Sequence, residues 1–135
     1  MIDGFNRALA FRLIGPTSKV VELLEPLTYS SPGVGGYYVV PAGFCCDLAS
    51  IPQAIAALAP DWRSTARAGV LHDLCYRSNA GIARRTADAL IHEALLLDEV
   101  DALRARAVWV AVRLFGARSY RVKPIAWRPR ALRHD

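Results

Sequence analysis

The chain has 135 residues, 53% of them hydrophobic and 21% charged, with a net charge of +5. That suits one domain with a real core and argues against global disorder. No apolar run approaches the ~18 residues of a membrane-spanning helix, and the first residues, Met1 to Arg7, lack the charged, apolar and small-residue regions of a secretory signal.

The first third reads as strand. Residues 4–14 alternate weakly, with Phe5, Leu9, Phe11 and Leu13 apolar, and end at Gly15-Pro16. Lys19 to Leu24 is a second strand stopped by Pro26, and Leu27 to Tyr29 extends the sheet. Ser30 to Gly36 is a Gly-rich connection. It lacks the Lys and Ser/Thr of a phosphate-binding loop and opens no helix, so a hairpin link is the better reading. Tyr37 to Val40 is the clearest strand signal, stopped by Pro41.

From Ser50 the period changes to that of helices. Ser50 or Pro52 starts a helix through Ala59, ended by Pro60. Ser64 is the expected N-cap of a helix from Thr65 to Tyr76 or Arg77, with Ser78 to Gly81 as its stop. Residues 83–97 form the next helix, with Ala87, Leu90, Ile91, Ala94 and Leu95 as its apolar face. A last helix runs from Val100-Asp101 to Phe115, with Leu103, Ala107, Val110, Ala111 and Leu114 expected inward and Gly116 as the break. The fold class expected is α+β: a small N-terminal antiparallel sheet, then about four helices. Residues 1–116 form the domain, and 117–135 form an extended basic C-terminal arm.

Charge is unevenly placed. Residues 104–135 hold nine Arg or Lys and one acid, whereas the first 103 residues hold eight basic and eleven acidic side chains. A basic, proline-broken arm bearing Trp127 calls for a partner. Its contact residues are expected to be Arg118, Tyr120, Arg121, Lys123, Trp127, Arg128 and Arg130. An anionic membrane would also suit these charges. Nucleic acid is a weaker candidate, because no recognised binding module accompanies the arm. The three cysteines, Cys45, Cys46 and Cys75, do not make a disulfide framework.

The chemistry concentrates in Leu71-His72-Asp73-Leu74-Cys75-Tyr76-Arg77. On a helix His72 and Tyr76, four apart, share a face, and Asp73 and Tyr76, three apart, also meet. Asp47 and Asp88 are the further carboxylates that could converge there. Three readings stay open. In one, His72 is a general base for water, oriented by Asp88, while Asp73 holds a hard cation of the calcium type. In another, His72, Asp73 and Asp47 or Asp88 bind a transition metal together. In the third, the motif is a polar seam whose buried groups satisfy backbone and loop donors, and Asp47 caps the helix near Ser50.

Two resemblances follow from these residues. Val40-Pro41-Ala42-Gly43-Phe44, Asp47-Leu48-Ala49-Ser50-Ile51-Pro52, Leu71-His72-Asp73 with Tyr76-Arg77, Ala87-Asp88 and Leu114-Phe115-Gly116 together resemble a largely phage- and prophage-encoded family, domain of unknown function 1353. The likeness covers roughly residues 35–116 and implies a gene among virion or lysis genes. With the arm, it leads to the expectation of a virion-associated accessory subunit of tail or capsid, made in the host cytoplasm and docking in an oligomeric assembly of phage structural proteins. Separately, His72-Asp73-Leu74-Cys75-Tyr76 resembles the active-site helix of secreted phospholipases A2. That resemblance implies a calcium-dependent hydrolase acting at entry or lysis. His72 would activate water, Asp88 support it, Tyr76 fix the carboxylate, Asp73 bind calcium, and Gly33, Gly35 and Gly36 form the calcium loop.

Overall fold

The computed structural model describes residues 2–14, 20–47, 62–121 and 125, apart from the side chains of Asp47 and of residues 62–64. Among these the chain forms six strands and three α-helices, an α+β architecture. The helix expected from Ser50 to Ala59 lies outside the described residues.

The strands form two three-stranded antiparallel sheets. In the first, β1 (Gly4–Phe5) and β5 (Tyr37–Val40) flank β4 (Leu27–Ser30). In the second, β2 (Phe11–Leu13) and β6 (Cys45–Asp47) flank β3 (Val20–Leu23). The single strand expected over residues 4–14 is thus two. Asn6 causes the break: its N–H donates to the Thr28 carbonyl at 3.1 Å, and its side-chain oxygen accepts the Thr28 N–H at 2.9 Å. An Asn side chain that takes over a ladder donor ends strand pairing locally. The chain then crosses to β3, where Arg12 lies opposite Glu22 and donates to it at 3.0 Å.

The helices are α1 (Trp62–Tyr76), α2 (Arg84–Leu97) and α3 (Ala102–Phe115), followed by a 3₁₀ turn at Gly116–Arg118. Because α1 begins at Trp62, Ser64 lies inside its first turn rather than at the N-cap. Asp101 caps α3, its side chain accepting the Arg104 N–H at 2.9 Å. Helix α2 packs against both α1 and α3, and its buried face is the predicted one: Ala87, Leu90, Ile91, Ala94 and Leu95, joined by Asp88. These side chains share one core with Leu23, Leu27, Tyr29, Val40 and Phe44 of the sheet half and with Val70, Leu71 and Cys75 of α1.

Helix α3 is turned relative to expectation. Its buried residues are Ala105, Val108, Ala111 and Val112, whereas Leu103, Val110 and Leu114 are exposed. The extended arm expected from residue 117 does not begin there either. Residues 116–121 turn back on the domain, where the Arg121 N–H donates to the Tyr76 carbonyl at 2.7 Å and closes the end of α1. The Ile125 N–H donates to the Asn79 side chain at 2.8 Å. Lys123, Trp127, Arg128 and Arg130 lie outside the described residues.

Candidate functional site

The site forms where the C-terminal half of α1 crosses the first half of α2. Four-residue spacing puts His72 and Tyr76 on one face of α1, with ring centroids 4.0 Å apart. Helix α2 brings Asp88 against both. Oδ1 of Asp88 lies 2.9 Å from Nε2 of His72 and accepts the Tyr76 hydroxyl at 2.5 Å. Oδ2 accepts Nη1 of Arg113, from α3, at 2.7 Å. The carboxylate has no solvent exposure. A carboxylate buried this fully needs such compensation, because desolvating an unpaired charge costs several kcal/mol.

The electrostatics follow from that geometry. Burial raises the pKa of Asp88, but the hydrogen bonds from His72, Tyr76 and Arg113 outweigh it and hold the carboxyl below the ordinary carboxylate range. Burial, and then the bond to Asp88, pushes the Tyr76 phenol well above its usual range, so it stays a donor. Because Asp88 can only accept, neutral His72 carries its proton on Nε2 and presents the lone pair of Nδ1. No hydrogen bond among the described residues engages that Nδ1. The His72 side chain retains 13% exposure.

A second layer fixes Tyr76. Nε of Arg84 donates to its hydroxyl at 3.3 Å, and Nη2 of Arg84 donates to the Val112 and Arg113 carbonyls at 2.8 and 2.6 Å. Arg84 thereby serves the carbonyl end of α3, where a cation is also favoured by the helix dipole. Gly116 lies so close that a Cβ there would stand 2.5 Å from the Tyr76 hydroxyl. Tyr120 meets Tyr76 edge-on at 5.3 Å between centroids and donates its hydroxyl to the Ile82 carbonyl. Its ring, expected on a partner surface, is therefore engaged within the domain. Arg118 and Arg121 are exposed.

Asp73 is placed apart from this network. Its Oδ2 accepts Nη2 of Arg77, one helical turn on, at 2.6 Å, and the same Nη2 reaches the Cys45 carbonyl at 3.3 Å. The guanidinium lies over the Phe44 ring, 5.6 Å from its centroid. The backbone of Asp47 pairs with Val20 in the second sheet, and its side chain lies outside the described residues. Of the glycines proposed for a calcium loop, Gly33 faces another carboxylate, and the Gly35 N–H donates to the Ser31 hydroxyl at 3.0 Å. Glu93 of α2 accepts the Gly33 and Val34 N–H groups at 2.9 and 3.1 Å, and the Tyr29 and Ser31 hydroxyls at 2.6 Å each. The hairpin link is thus an anion cradle filled by the chain's own side chain.

Calcium needs six to eight oxygen ligands. Among the described residues no group of three or more His, Cys, Asp or Glu side chains could hold a metal ion, and Asp73 already has a guanidinium for its cation. Of the two carboxylates proposed for calcium, Asp73 is thus engaged by Arg77, and the Asp47 side chain lies outside the described residues. The contributors that sequence reading missed are Arg113, Arg84 and Glu93. Arg84 has a local signal, four residues before Asp88 on one helix; Arg113, 25 residues beyond Asp88, has none.

Comparison with curated proteins and with solved structures gave no match for this chain. The family model described as "Protein of unknown function (DUF1353)" matches residues 21–112, a span that includes His72, Tyr76, Asp88 and Arg84. The chain belongs to this family, DUF1353.

Proposed function

We propose that this protein is a hydrolase in which His72 activates water for attack on an acyl ester, with Asp88 as its orienting carboxylate. The observation that carries the reading is the division of labour on the imidazole: Nε2 is bound by a buried, ionised Asp88 at 2.9 Å, and Nδ1 is left to accept a proton. In the reaction, Nδ1 takes a proton from water as the water oxygen bonds to the ester carbonyl carbon. The tetrahedral intermediate then expels the alkoxide, which leaves with the proton held on Nδ1. Asp88 stabilises the transient imidazolium without itself becoming protonated. Tyr76, Arg113 and Arg84 hold Asp88 in place and act through it as positioning residues. The likeness of His72-Asp73-Leu74-Cys75-Tyr76 to the phospholipase A2 helix supports a phospholipid ester as the substrate. No step is assigned to calcium.

The test is fatty-acid release from vesicles of phosphatidylglycerol and phosphatidylcholine by the full chain, with calcium and with a chelator. The reading expects release under both conditions, reduced ~100-fold or more in His72→Gln, in keeping with the usual weight of a general base. Absence of release under both conditions, or release unchanged in His72→Gln, would overturn it. Release only with calcium would return Asp73 to the role of a metal ligand.

A second reading, a virion-associated accessory subunit docking through residues 117–135, is supported by the exposure of Arg118 and Arg121 beside the anchored Tyr120. It predicts that the chain co-purifies with virions and that Arg118→Glu/Arg121→Glu releases it. Particles that never contain the chain would dismiss it. The two readings are compatible, since a virion subunit can carry an enzyme.

A further inference from the structure

Helix α3 carries two apolar stripes, and among the described residues only one is packed into the core. Ala105, Val108, Ala111 and Val112 are buried in the core. On the other side Leu103 is 79% exposed, Val110 40% and Leu114 68%. With half-buried Ala107 they are spaced four, three and four residues apart, which is the a/d spacing of a helix-packing seam. Over the 14 residues of α3 the seam is about 21 Å long. Such a run of large exposed apolar side chains on one element is characteristic of an interaction surface.

The charge around the seam narrows the choice of occupant. Residues 102–121 contain five arginines and no acidic residue. Arg113 is committed to Asp88, and Arg104 lies 3.3 Å from Asp101. Arg106, Arg118 and Arg121 are exposed. A second copy of this face would set like charges against each other. A lipid surface would welcome the arginines, but an interfacial helix presents a broad apolar face, and this stripe is a narrow seam.

We propose that the outer face of α3 docks an amphipathic helix of a partner protein whose own apolar stripe is flanked by acidic residues. This surface is independent of the hydrolase reading.

A suitable probe is a three-heptad peptide with Leu at a and d and Glu at e and g, which its own charges keep from pairing with itself. Its counterpart carries Lys at e and g. Binding of each to the full chain is followed by fluorescence anisotropy at low and high salt. The Glu peptide should bind, more weakly at high salt, and the Lys peptide should not. Leu114→Asp should weaken binding by about tenfold or more, as expected for a large apolar anchor, with an unchanged thermal melt. Arg106→Glu, at an exposed side chain, should shift preference toward the Lys peptide. The proposal fails if neither peptide binds or if both bind alike. It fails equally if Leu114 governs association with anionic vesicles or self-association while the Glu peptide is ignored.

Discussion

Asp88 sets the character of the site because side chains from two other helices bond to it at once. His72 and Tyr76 from α1 and Arg113 from α3 all bond to it. Two of these partners were legible in the sequence, since His72 and Tyr76 sit one turn apart and Asp88 lies on the next helical pattern. Arg113 was not, because nothing in a sequence marks which of several arginines crosses to a buried acid. Gly116 is a second consequence of the same crowding. Its φ of −77° is open to any residue, so its demand for glycine is purely one of space against Tyr76. Gly116→Ala should destabilise the domain by about 1–3 kcal/mol, the usual range for overpacking. The penalty should shrink in a Tyr76→Phe background, where the atom that meets the new methyl is gone. Urea melts of the two single variants and the double variant measure that coupling; equal penalties in both backgrounds would contradict the close approach.

Among the elements, α2 was readable in both bounds and face, whereas α3 was readable in its bounds, Asp101 to Gly116, but not in its inner face. The apolar positions of α2 from Ala87 to Leu95 lie chiefly on one side, so the period identifies its inner face, although Leu96 and Leu97 at its end are exposed. Helix α3 is apolar on two sides, and the larger residues, Leu103, Val110 and Leu114, suggested the wrong one. The smaller residues are buried instead, Ala105 and Ala111 on α3 with Ala87 and Ala94 on α2. Small side chains let two helix axes approach closely, and that approach is what places Arg113 within reach of Asp88. This orientation has a direct test in stability. Leu103→Asp should change unfolding free energy by less than about 0.5 kcal/mol, as exposed positions usually do. Val108→Ala should cost about 2 kcal/mol through lost burial and a cavity. The reverse order would mean that the helix is turned the other way.

At the scale of the whole molecule, two ionised side chains of α2 hold its neighbours. Asp88 binds α1 and α3, and Glu93 gathers the β4–β5 hairpin through four donors. Burial raises the pKa of Glu93, but the bonds from Ser31, Tyr29, Val34 and Gly33 bring it below the ordinary value. Both carboxyls are therefore more acidic folded than unfolded. Their stabilisation is complete above the unfolded-state pKa of about 4 and is lost as pH falls through the lower, folded values. Stability measured by urea melts should decline below about pH 5, and Asp88→Asn and Glu93→Gln should each flatten that decline while lowering stability at neutral pH. An unchanged acid profile in both variants would contradict the account. The Gly-rich hairpin link was legible as a hairpin from its composition. Its cradle for Glu93 was not, because the contact joins segments about 60 residues apart and depends on how α2 meets the sheet.

In the proposed reaction Asp88 fixes the His72 ring and leaves Nδ1 as the base. The most direct measurement is ¹⁵N NMR of imidazole-labelled protein above the histidine titration, with His72 assigned by His72→Gln. The predicted result is a protonated, pyrrole-type Nε2 and a bare, pyridine-type Nδ1, with that preference lost in Asp88→Asn. A proton on Nδ1 in the wild-type protein would contradict the account, because His72 would then have no lone pair free of Asp88 to offer to water.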